Sequence, residues 1–481
     1  MLFNSYAFLI VFLPVVLITF HMIARWGYFR LATSSLVFAS LVFYAYWDYK
    51  YLALLGGSII FNFVIGKKIE QYEKTQSRYL LIIGICFNVG LLTYYKYACF
   101  FLTSFNTILG SSFSIPNIVM PIGISFFTFT QLAYLVDAYR GETECYDFLS
   151  YSLFVTYFPH LIAGPILYHK HMIPQFQAKS QYIFSHVNMA AGAATFALGL
   201  FKKVVLADSL SEWAKPVFEH VELVTFLDSW AGALSYTFQL YFDFSGYSDM
   251  AIGLGLMLNV RLPLNFNSPY KATSIIDFWR RWHMTLSAFL KNYLYIPLGG
   301  NRLGERRRIV NLMITMLLGG LWHGAGWTFV IWGGLHGVYL VVNHAWRRFK
   351  IEMPDAAGQA LTFLAVLVGW VFFRAESPTD ALELIKAMLG LKGFLAHKEI
   401  VAMLRGAPGF GPSMRPLLFV TTPQVLLTLA GLYVFVVRFK NTQEAIDMLR
   451  PRWWMALAVG LIAAASILKV NRSTEFLYFQ F

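Results

Sequence analysis

Apolar stretches long enough to span a lipid bilayer recur along the whole chain. The four nearest the amino terminus lie at residues 6–22, 31–47, 51–66 and 80–102. The three nearest the carboxyl terminus lie at residues 359–373, 425–437 and 453–470. Because a transmembrane helix needs about 20 predominantly apolar residues, the pattern predicts an all-α polytopic membrane protein with about ten to twelve transmembrane helices. The short alternating segments typical of a membrane β-barrel are absent from the sequence.

The middle of the chain follows a different pattern. Between residues 159 and 320, glycines, prolines and charged residues interrupt nearly every apolar run. Broken helices are tolerated at membrane depth only where they are buried in protein or line a wet cavity. This region is therefore predicted to form broken and re-entrant helices around a site.

We interpret residues 1–481 as a single membrane domain with four parts. These are N-terminal spans at 1–102, a core that carries the motifs at 119–349, an extracytoplasmic or interfacial segment at 374–424, and C-terminal spans at 425–481. The first apolar stretch has no basic residue before it and no small-residue cleavage site after it. We therefore expect it to be a retained transmembrane helix rather than a signal peptide.

Charge supports the same class and predicts an orientation. The chain is 58% hydrophobic and 13% charged, with a formal net charge of +13. The basic residues form short clusters between apolar stretches, as at 67–78 and 347–350, which is typical of cytoplasmic loops and argues against a nucleic-acid groove. This places the amino terminus and segment 374–424 outside. The three cysteines have neither metal-ligand spacing nor an even disulfide set.

Segment 374–424 is the longest stretch without a predicted span. Its beginning has apolar residues at helical spacing, at Leu382, Ile385, Met388 and Leu389. This pattern predicts an interfacial helix, and the alternative is a docking surface for an extracytoplasmic partner. A Gly/Pro-rich loop follows at 408–416.

His323 is the first candidate for chemistry. Four glycines surround it in the run from Gly319 to Trp327, and glycine allows a substrate or another backbone to approach closely. Imidazole titrates near neutral pH, so it can take a proton from a hydroxyl group that attacks a thioester or ester. The alternative is a buried histidine satisfied by a backbone carbonyl.

His283 is the second candidate, in a run from Asp277 to Ser287 that can form one helix. In a helix, Asp277 would share a face with Arg281 and form an ion pair, and Trp279 would share a face with His283 and exclude water from it. Arg280 would then be available for an anionic group, such as a phosphate of a donor cofactor, or would extend its head to the membrane interface.

Other polar residues in apolar surroundings are weaker candidates. Asp243 and Asp249 flank Ser245 and Gly246, and either carboxylate is expected to orient a histidine, pair with an arginine or hold broken helices together. His160 and His336 are rival histidines without a charged neighbour within one turn. We find no Ser-His-Asp order, phosphate-binding glycine loop, HExxH or CxxC pattern, so no metal site is predicted.

Several runs, in this order, resemble the signature blocks of the membrane-bound O-acyltransferases, in particular the membrane subunits of alginate O-acetyltransferases. The matching runs are Met1–Pro14, Pro121–Phe129, Phe158–Pro165, Tyr241–Asp249, Leu264–Tyr270, Asp277–Ser287, Tyr295–Gly300, Trp322–Gly326 and Trp370–Arg374. One departure follows the Phe158 run, which continues to His169 where many relatives are expected to have a glutamine.

The resemblance implies a bundle of many helices around a funnel or tunnel, in a bacterial cytoplasmic membrane. It implies that His323 is the essential histidine and His283 its usual second one. The supporting and site-lining candidates are then Trp279, Arg280, Trp322, Gly324, Asp243, Asp249 and Asn265. It also implies an acetyl donor in the cytoplasm, expected to be acetyl-CoA, with no permanently bound cofactor, and a periplasmic hydrolase-like partner (of the SGNH class) that modifies a polysaccharide.

Three functional hypotheses remain open from the sequence. The leading one is passage of acetyl across the membrane for O-acetylation of an extracytoplasmic polysaccharide such as alginate. A second keeps the fold and changes the acceptor, to peptidoglycan, cellulose, teichoic acid (by D-alanyl transfer), a lipid or a protein. A third makes the chain a transporter or scaffold subunit of a polysaccharide export complex, which broken helices would also suit.

Overall fold

The computed structural model describes residues 1–144, 146–394, 420–448, 452–470 and 476–477. Within these ranges the regular structure is helical throughout. The first ten α-helices are α1 (Leu13–Arg25), α2 (Phe29–Ala45), α3 (Leu52–Gln71), α4 (Lys74–Leu92), α5 (Ala98–Leu109), α6 (Ile124–Arg140), α7 (Phe148–Thr156), α8 (His169–Gln177), α9 (His186–Phe201) and α10 (Asp208–Glu219). The remaining described α-helices are α11 (Phe226–Met257), α12 (Ile275–Trp279), α13 (Met284–Leu290), α14 (Gly304–His323), α15 (Trp327–Arg348), α16 (Asp355–Arg374), α17 (Pro378–Met388), α18 (Pro423–Arg438), α19 (Thr442–Asp447) and α20 (Trp453–Lys469).

Short π-helical and 3₁₀ turns connect several of these helices. The π-helical turns are Ala7–Phe12, Thr93–Tyr97, Lys202–Ala207 and Lys291–Tyr295, and the 3₁₀ turns are Tyr49–Tyr51, Lys179–Tyr182 and Pro269–Lys271. Wide turns inside long helices often occur at functional sites. Two of them continue a helix into the next one, so that α4 runs on into α5 and α9 into α10.

Five helical runs in the described ranges are long and apolar enough to cross a membrane. They are Ala7–Arg25, Tyr49–Gln71, Lys74–Leu109, His186–Glu219 and Asp355–Arg374. Three shorter apolar helices are α2, α18 and α20. Together they coincide with all seven apolar stretches predicted near the two ends of the chain, whereas His186–Glu219 lies in the interrupted middle. The total of ten to twelve spans stays a prediction.

The helix predicted at the beginning of segment 374–424 is present as α17, and its interfacial position stays a prediction. Of the four apolar residues that predicted it, Met388 is buried and Ile385 packs against the core, whereas Leu382 is 51% exposed and Leu389 is 69% exposed. Ala381, Leu384 and Ala387 form the rest of the buried face. Small alanines at these positions allow the helix to approach its neighbours closely, which a count of large apolar residues does not detect. The predicted loop at 408–416 lies outside the described residues.

The chain forms two compact units. The first comprises residues 1–199, 247–264 and 456–471, and the second comprises 200–246, 265–455 and 472–481. In the first unit, α3, α4 and α6 pack together. Asn62 and Asn88 exchange amide hydrogen bonds between α3 and α4, at 3.2 and 2.6 Å, which is the polar contact expected between helices in an apolar environment.

In the second unit, α14 packs closely along α15. A Cβ atom on Gly320 would lie 2.3 Å from the carbonyl oxygen of Phe329, and one on Gly333 would lie 2.3 Å from that of Met316. Only glycine therefore permits this approach of the two backbones. The sequence predicted that glycines near His323 allow another backbone to approach closely. Gly320 allows α15 to do so, and this contact holds the last turn of α14 in place.

Candidate active site around His283 and His323

His283 lies at a sharp turn between α12 and α13. Its φ and ψ angles are 44° and 53°, in the left-handed region, which costs a residue with a side chain about 1–2 kcal/mol. The run from Asp277 to Ser287 is therefore not the single helix that was predicted. The chain turns because the Met284 N–H donates to the Asn265 carbonyl oxygen at 2.9 Å, a contact with a residue 18 positions before His283.

The side chain of Asn265 determines which nitrogen of His283 carries the proton. Its Oδ1 atom accepts from the Thr285 N–H at 3.3 Å and from the Thr285 hydroxyl at 2.9 Å. A backbone N–H only donates, so this Asn265 atom must be the amide oxygen. The same oxygen lies 3.1 Å from Nδ1 of His283, so Nδ1 carries the hydrogen and the lone pair of the neutral ring is on Nε2.

His323 is the last residue of α14 and is 4% exposed. Its ring centroid lies 5.0 Å from that of Trp322, 5.0 Å from Trp332 and 5.4 Å from Phe373. Gly324 follows directly, and a Cβ atom there would lie 2.2 Å from the Phe329 ring. The glycine thus allows the chain to leave α14 beneath Phe329 while the imidazole stays among aromatic rings.

The two histidines are brought together, although 39 other residues separate them in sequence. Their ring centroids are 6.1 Å apart. Phe244 packs edge-on against His283 at 4.8 Å, and Trp322 lies within ring contact of both imidazoles. Burial among these rings lowers the pKa of the His283 imidazole below its ordinary value, because a charged ring is poorly solvated there. Near neutral pH this imidazole is therefore uncharged.

Trp279 does not cover His283 as predicted. Because His283 lies outside α12, the two residues do not share a helix face. The Trp279 Nε1–H instead donates to Nδ1 of His336 at 3.3 Å, and its ring packs against Trp332 at 5.9 Å. The predicted ion pair is present, with Arg281 Nε 2.9 Å from an Asp277 oxygen. Arg280, one residue past α12, is exposed.

Asp243 is part of a buried ion cluster rather than a partner of a histidine or an arginine. Its Oδ1 lies 2.7 Å from Nζ of Lys203, and the same ammonium lies 2.8 Å from Asp208. The N–H of Leu477 donates to the other Asp243 oxygen at 3.1 Å. The sequence analysis missed Lys203, whose only signal was its position inside a long apolar run. Asp249 is buried in α11 and belongs to the other compact unit.

One ring nitrogen of each rival histidine has a hydrogen-bond partner. His160 is buried with Nε2 2.9 Å from the Phe154 carbonyl oxygen, which is the structural alternative considered for a lone histidine. His336 is buried on α15 and accepts the hydrogen bond from Trp279. The residues that sequence reasoning missed at the site are Trp332, Phe373 and Phe244. Phe244 lies in the Tyr241–Asp249 run and Phe373 lies in the Trp370–Arg374 run. Trp332 lies four residues before His336.

The arrangement combines two imidazoles in an enclosure of aromatic rings. A neutral imidazole can accept a proton from a hydroxyl group, and the surrounding rings exclude water that would compete with an acceptor hydroxyl. An amide rather than a carboxylate orients His283, so no negative charge is added next to it. Such a site suits transfer of an acyl group to an alcohol.

Similarity to known proteins agrees with this chemistry. Residues 66–375 match the family model of the membrane-bound O-acyltransferases. A peptidoglycan O-acetyltransferase of Helicobacter pylori is 42% identical, with 100% of this chain and 98% of the relative aligned. A probable alginate O-acetylase of Pseudomonas aeruginosa is 43% identical over 81% of this chain and 75% of its own length, and one of Pseudomonas putida is 39% identical over 100% of both. The chain therefore belongs to the membrane-bound O-acyltransferase family and is an acyltransferase.

Proposed function

We propose that this acyltransferase moves acetyl from a cytoplasmic donor, acetyl-CoA, across the membrane for O-acetylation of an extracytoplasmic polysaccharide. The observation that carries the proposal is the paired placement of His283 and His323 in one aromatic enclosure. The names of the aligned relatives support acetyl as the group and a polysaccharide as the final acceptor. An extracytoplasmic hydrolase-like partner would accept the acetyl group and complete the transfer.

His323 is assigned the role of general base. Its imidazole takes the proton from the attacking hydroxyl group as the oxygen bonds to the thioester carbonyl carbon. The carbon–sulfur bond then breaks, and the imidazolium returns the proton to the departing thiolate. One proton is taken up and one released, so His323 ends in its starting form.

His283 is assigned a positioning role through Nε2. Because its Nδ1–H is held by Asn265, the neutral ring presents a lone pair rather than a hydrogen on Nε2. It therefore accepts a hydrogen bond from an N–H or O–H group of the bound substrates and does not act as an oxyanion donor.

The acceptor polymer has two leading candidates. Alginate is favoured by the resemblance in the opening run and by two alginate O-acetylase relatives. Peptidoglycan is the second candidate, because the peptidoglycan O-acetyltransferase aligns with the whole chain and nearly the whole relative. Cellulose and teichoic acid are further alternatives.

The test uses membrane vesicles that contain this protein and acetyl-CoA labelled in the acetyl group. We expect His323→Ala to reduce transfer at least about 100-fold, because the base is lost, while the protein stays inserted at a matched level. The control variant is His171→Ala, which removes an exposed histidine of the other unit.

Offering polymannuronate and peptidoglycan strands separately, with the matching partner protein, identifies the acceptor. Equal labelling by wild type and His323→Ala would remove His323 as the base. Labelling of neither polymer, with labelled partner present, would move the proposal to a different acceptor.

A further inference from the structure

A cavity of about 440 Å³ lies in the first unit. It is formed by the turn between α3 and α4 and by the carboxyl end of α6. Its polar lining includes Glu70, Lys74, Ser77, Arg140 and Thr143. Its lining is about equally polar and apolar, which distinguishes it from the apolar groove along α4 and α5.

The walls of the cavity are held in place by specific contacts. The Ser77 hydroxyl is 2.9 Å from the carbonyl oxygens of both Ile69 and Tyr72, which ties the start of α4 to the end of α3. A Cβ atom on Gly66 would lie 2.2 Å from the Tyr134 ring. This close approach joins α3 to α6, so all three helices that surround the cavity are fixed relative to each other.

The cavity carries charges of both signs. Lys74 and Arg140 contribute the positive charge, and Glu70 contributes the negative charge. The Glu70 carboxylate is fixed by Lys67 at 3.1 Å and by the Thr143 hydroxyl at 2.8 Å. A carboxylate has about four acceptor positions, so these two contacts leave Glu70 able to accept another donor.

Arg140 is held beside a buried carboxylate that other basic side chains share. Asp137 lies 3.5 Å from Arg140 and also faces His169 at 3.0 Å and Lys170 at 3.5 Å. Lys170 pairs with Glu142 as well. The Arg140 side chain is 32% exposed and lines the cavity, so its guanidinium can contact an anionic group bound there.

The position of the cavity points to lipid. It lies where the candidate spans Tyr49–Gln71 and Lys74–Leu109 meet in a short basic turn, which is where phospholipid headgroups contact a membrane protein. Basic pockets between membrane helices at such turns bind lipid phosphates.

We propose that this cavity binds the headgroup of a zwitterionic phospholipid that ends in a primary ammonium group. Its phosphodiester lies against Lys74 and Arg140, and its ammonium group donates to Glu70. The Glu70 carboxylate distinguishes this ligand from a glycerol headgroup, because that headgroup has the same phosphodiester charge but no ammonium group to pair with Glu70. A quaternary ammonium headgroup lacks the N–H groups that Glu70 would accept from.

The test uses the purified full-length protein, stripped of lipid and titrated with phosphatidylethanolamine, phosphatidylglycerol or phosphatidylcholine in detergent. Bound lipid is counted by native mass spectrometry, and the midpoint of thermal unfolding is recorded with each lipid and with inorganic phosphate. We expect wild type to retain phosphatidylethanolamine about fivefold better than the other two lipids, and phosphate alone to leave the midpoint unchanged.

Three variants separate the contributions. Lys74→Gln should weaken retention of every phospholipid about fivefold, which is what one basic side chain contributes at a membrane surface. Glu70→Gln keeps an oxygen for Thr143 and should abolish the preference for phosphatidylethanolamine. Arg78→Gln, on α4 one helical turn after Lys74 but outside the cavity, is the control and should bind like wild type.

Three results would overturn the proposal. They are equal retention of phosphatidylglycerol by wild type, unchanged binding in Lys74→Gln, and stabilisation by inorganic phosphate equal to that by lipid. The unfolding midpoints of the lipid-free variants show whether each variant is folded. If Lys74→Gln is unfolded without lipid, Glu70→Gln alone still tests the preference for the ammonium group.

Discussion

Two buried histidines in this protein have opposite surroundings. His283, in the second unit, is held by the neutral amide of Asn265 and is packed among aromatic rings. His169, in the first unit, lies between the Asp137 carboxylate at 3.0 Å from Nε2 and the Tyr146 hydroxyl at 2.9 Å from Nδ1. Both are 0% exposed. Burial alone therefore does not identify a histidine that takes part in chemistry.

The difference lies in the partners. Contacts at both ring nitrogens hold His169 as a structural link between α6 and the start of α8. An amide fixes the orientation and the tautomer of His283 without adding charge. The second arrangement preserves a neutral ring that can exchange hydrogen bonds with a substrate.

The strongest test of the comparison replaces His283. We expect His283→Gln to reduce acetyl transfer by about 10²-fold, because the glutamine amide does not place an acceptor at the position of Nε2 and the bound substrates are misplaced. Initial rates in vesicles, normalised to the amount of inserted protein, measure the effect. Activity within a factor of a few of wild type would show that His283 is only a packing residue.

The second test changes the partner instead of the histidine. Asn265→Asp keeps an oxygen for the Thr285 N–H but places a carboxylate beside His283, as Asp137 is beside His169. The added charge raises the pKa of His283 and favours its protonated form. We expect transfer to fall by about 10–100-fold, the usual size of an effect through an orienting residue.

The pH dependence of that variant distinguishes its cause. A rate that recovers as the pH is raised would show that protonation of His283 is responsible. A rate that stays low at every pH would indicate misplacement of the ring. The Asn265→Ala variant, which leaves the buried Thr285 donors without their acceptor, should show the second behaviour.

The smallest expected effect on acetyl transfer is that of replacing His169. His169→Gln replaces a ring with two partners by an amide that can satisfy only one of them well. We expect a loss of about 1–3 kcal/mol in the free energy of unfolding, with transfer reduced less than about threefold per folded molecule. Thermal unfolding of the purified protein, together with the vesicle assay, measures both. A large loss of transfer at unchanged stability would give His169 a functional role.

Much of this architecture was predictable because lipid imposes simple rules on sequence. A span must be apolar over its length, and so all seven stretches near the two ends coincide with helices. The ion pair between Asp277 and Arg281 was predictable from their spacing alone. The importance of His323 and His283 was suggested by ionisable groups in apolar surroundings and by the family resemblance.

The features of the site that the sequence did not predict depend on contacts between residues far apart in the chain. The left-handed turn at His283 arises from the contact with Asn265. The helix inferred from local spacing therefore predicted that Trp279 contacts His283, whereas Trp279 contacts His336. Lys203 and Asp243 are 40 positions apart, and they pair because a buried charged side chain requires a partner of opposite charge. Their spacing in the sequence does not identify which residue that partner is. Trp332 contacts His323 because Gly320 and Gly333 let α14 and α15 pack closely, and Phe373 reaches the same imidazole from α16. The sequence by itself determined the long apolar helices and pointed to the candidate histidines, whereas the tertiary structure decided the partners of these residues, since packing and hydrogen bonding are settled only when the helices meet.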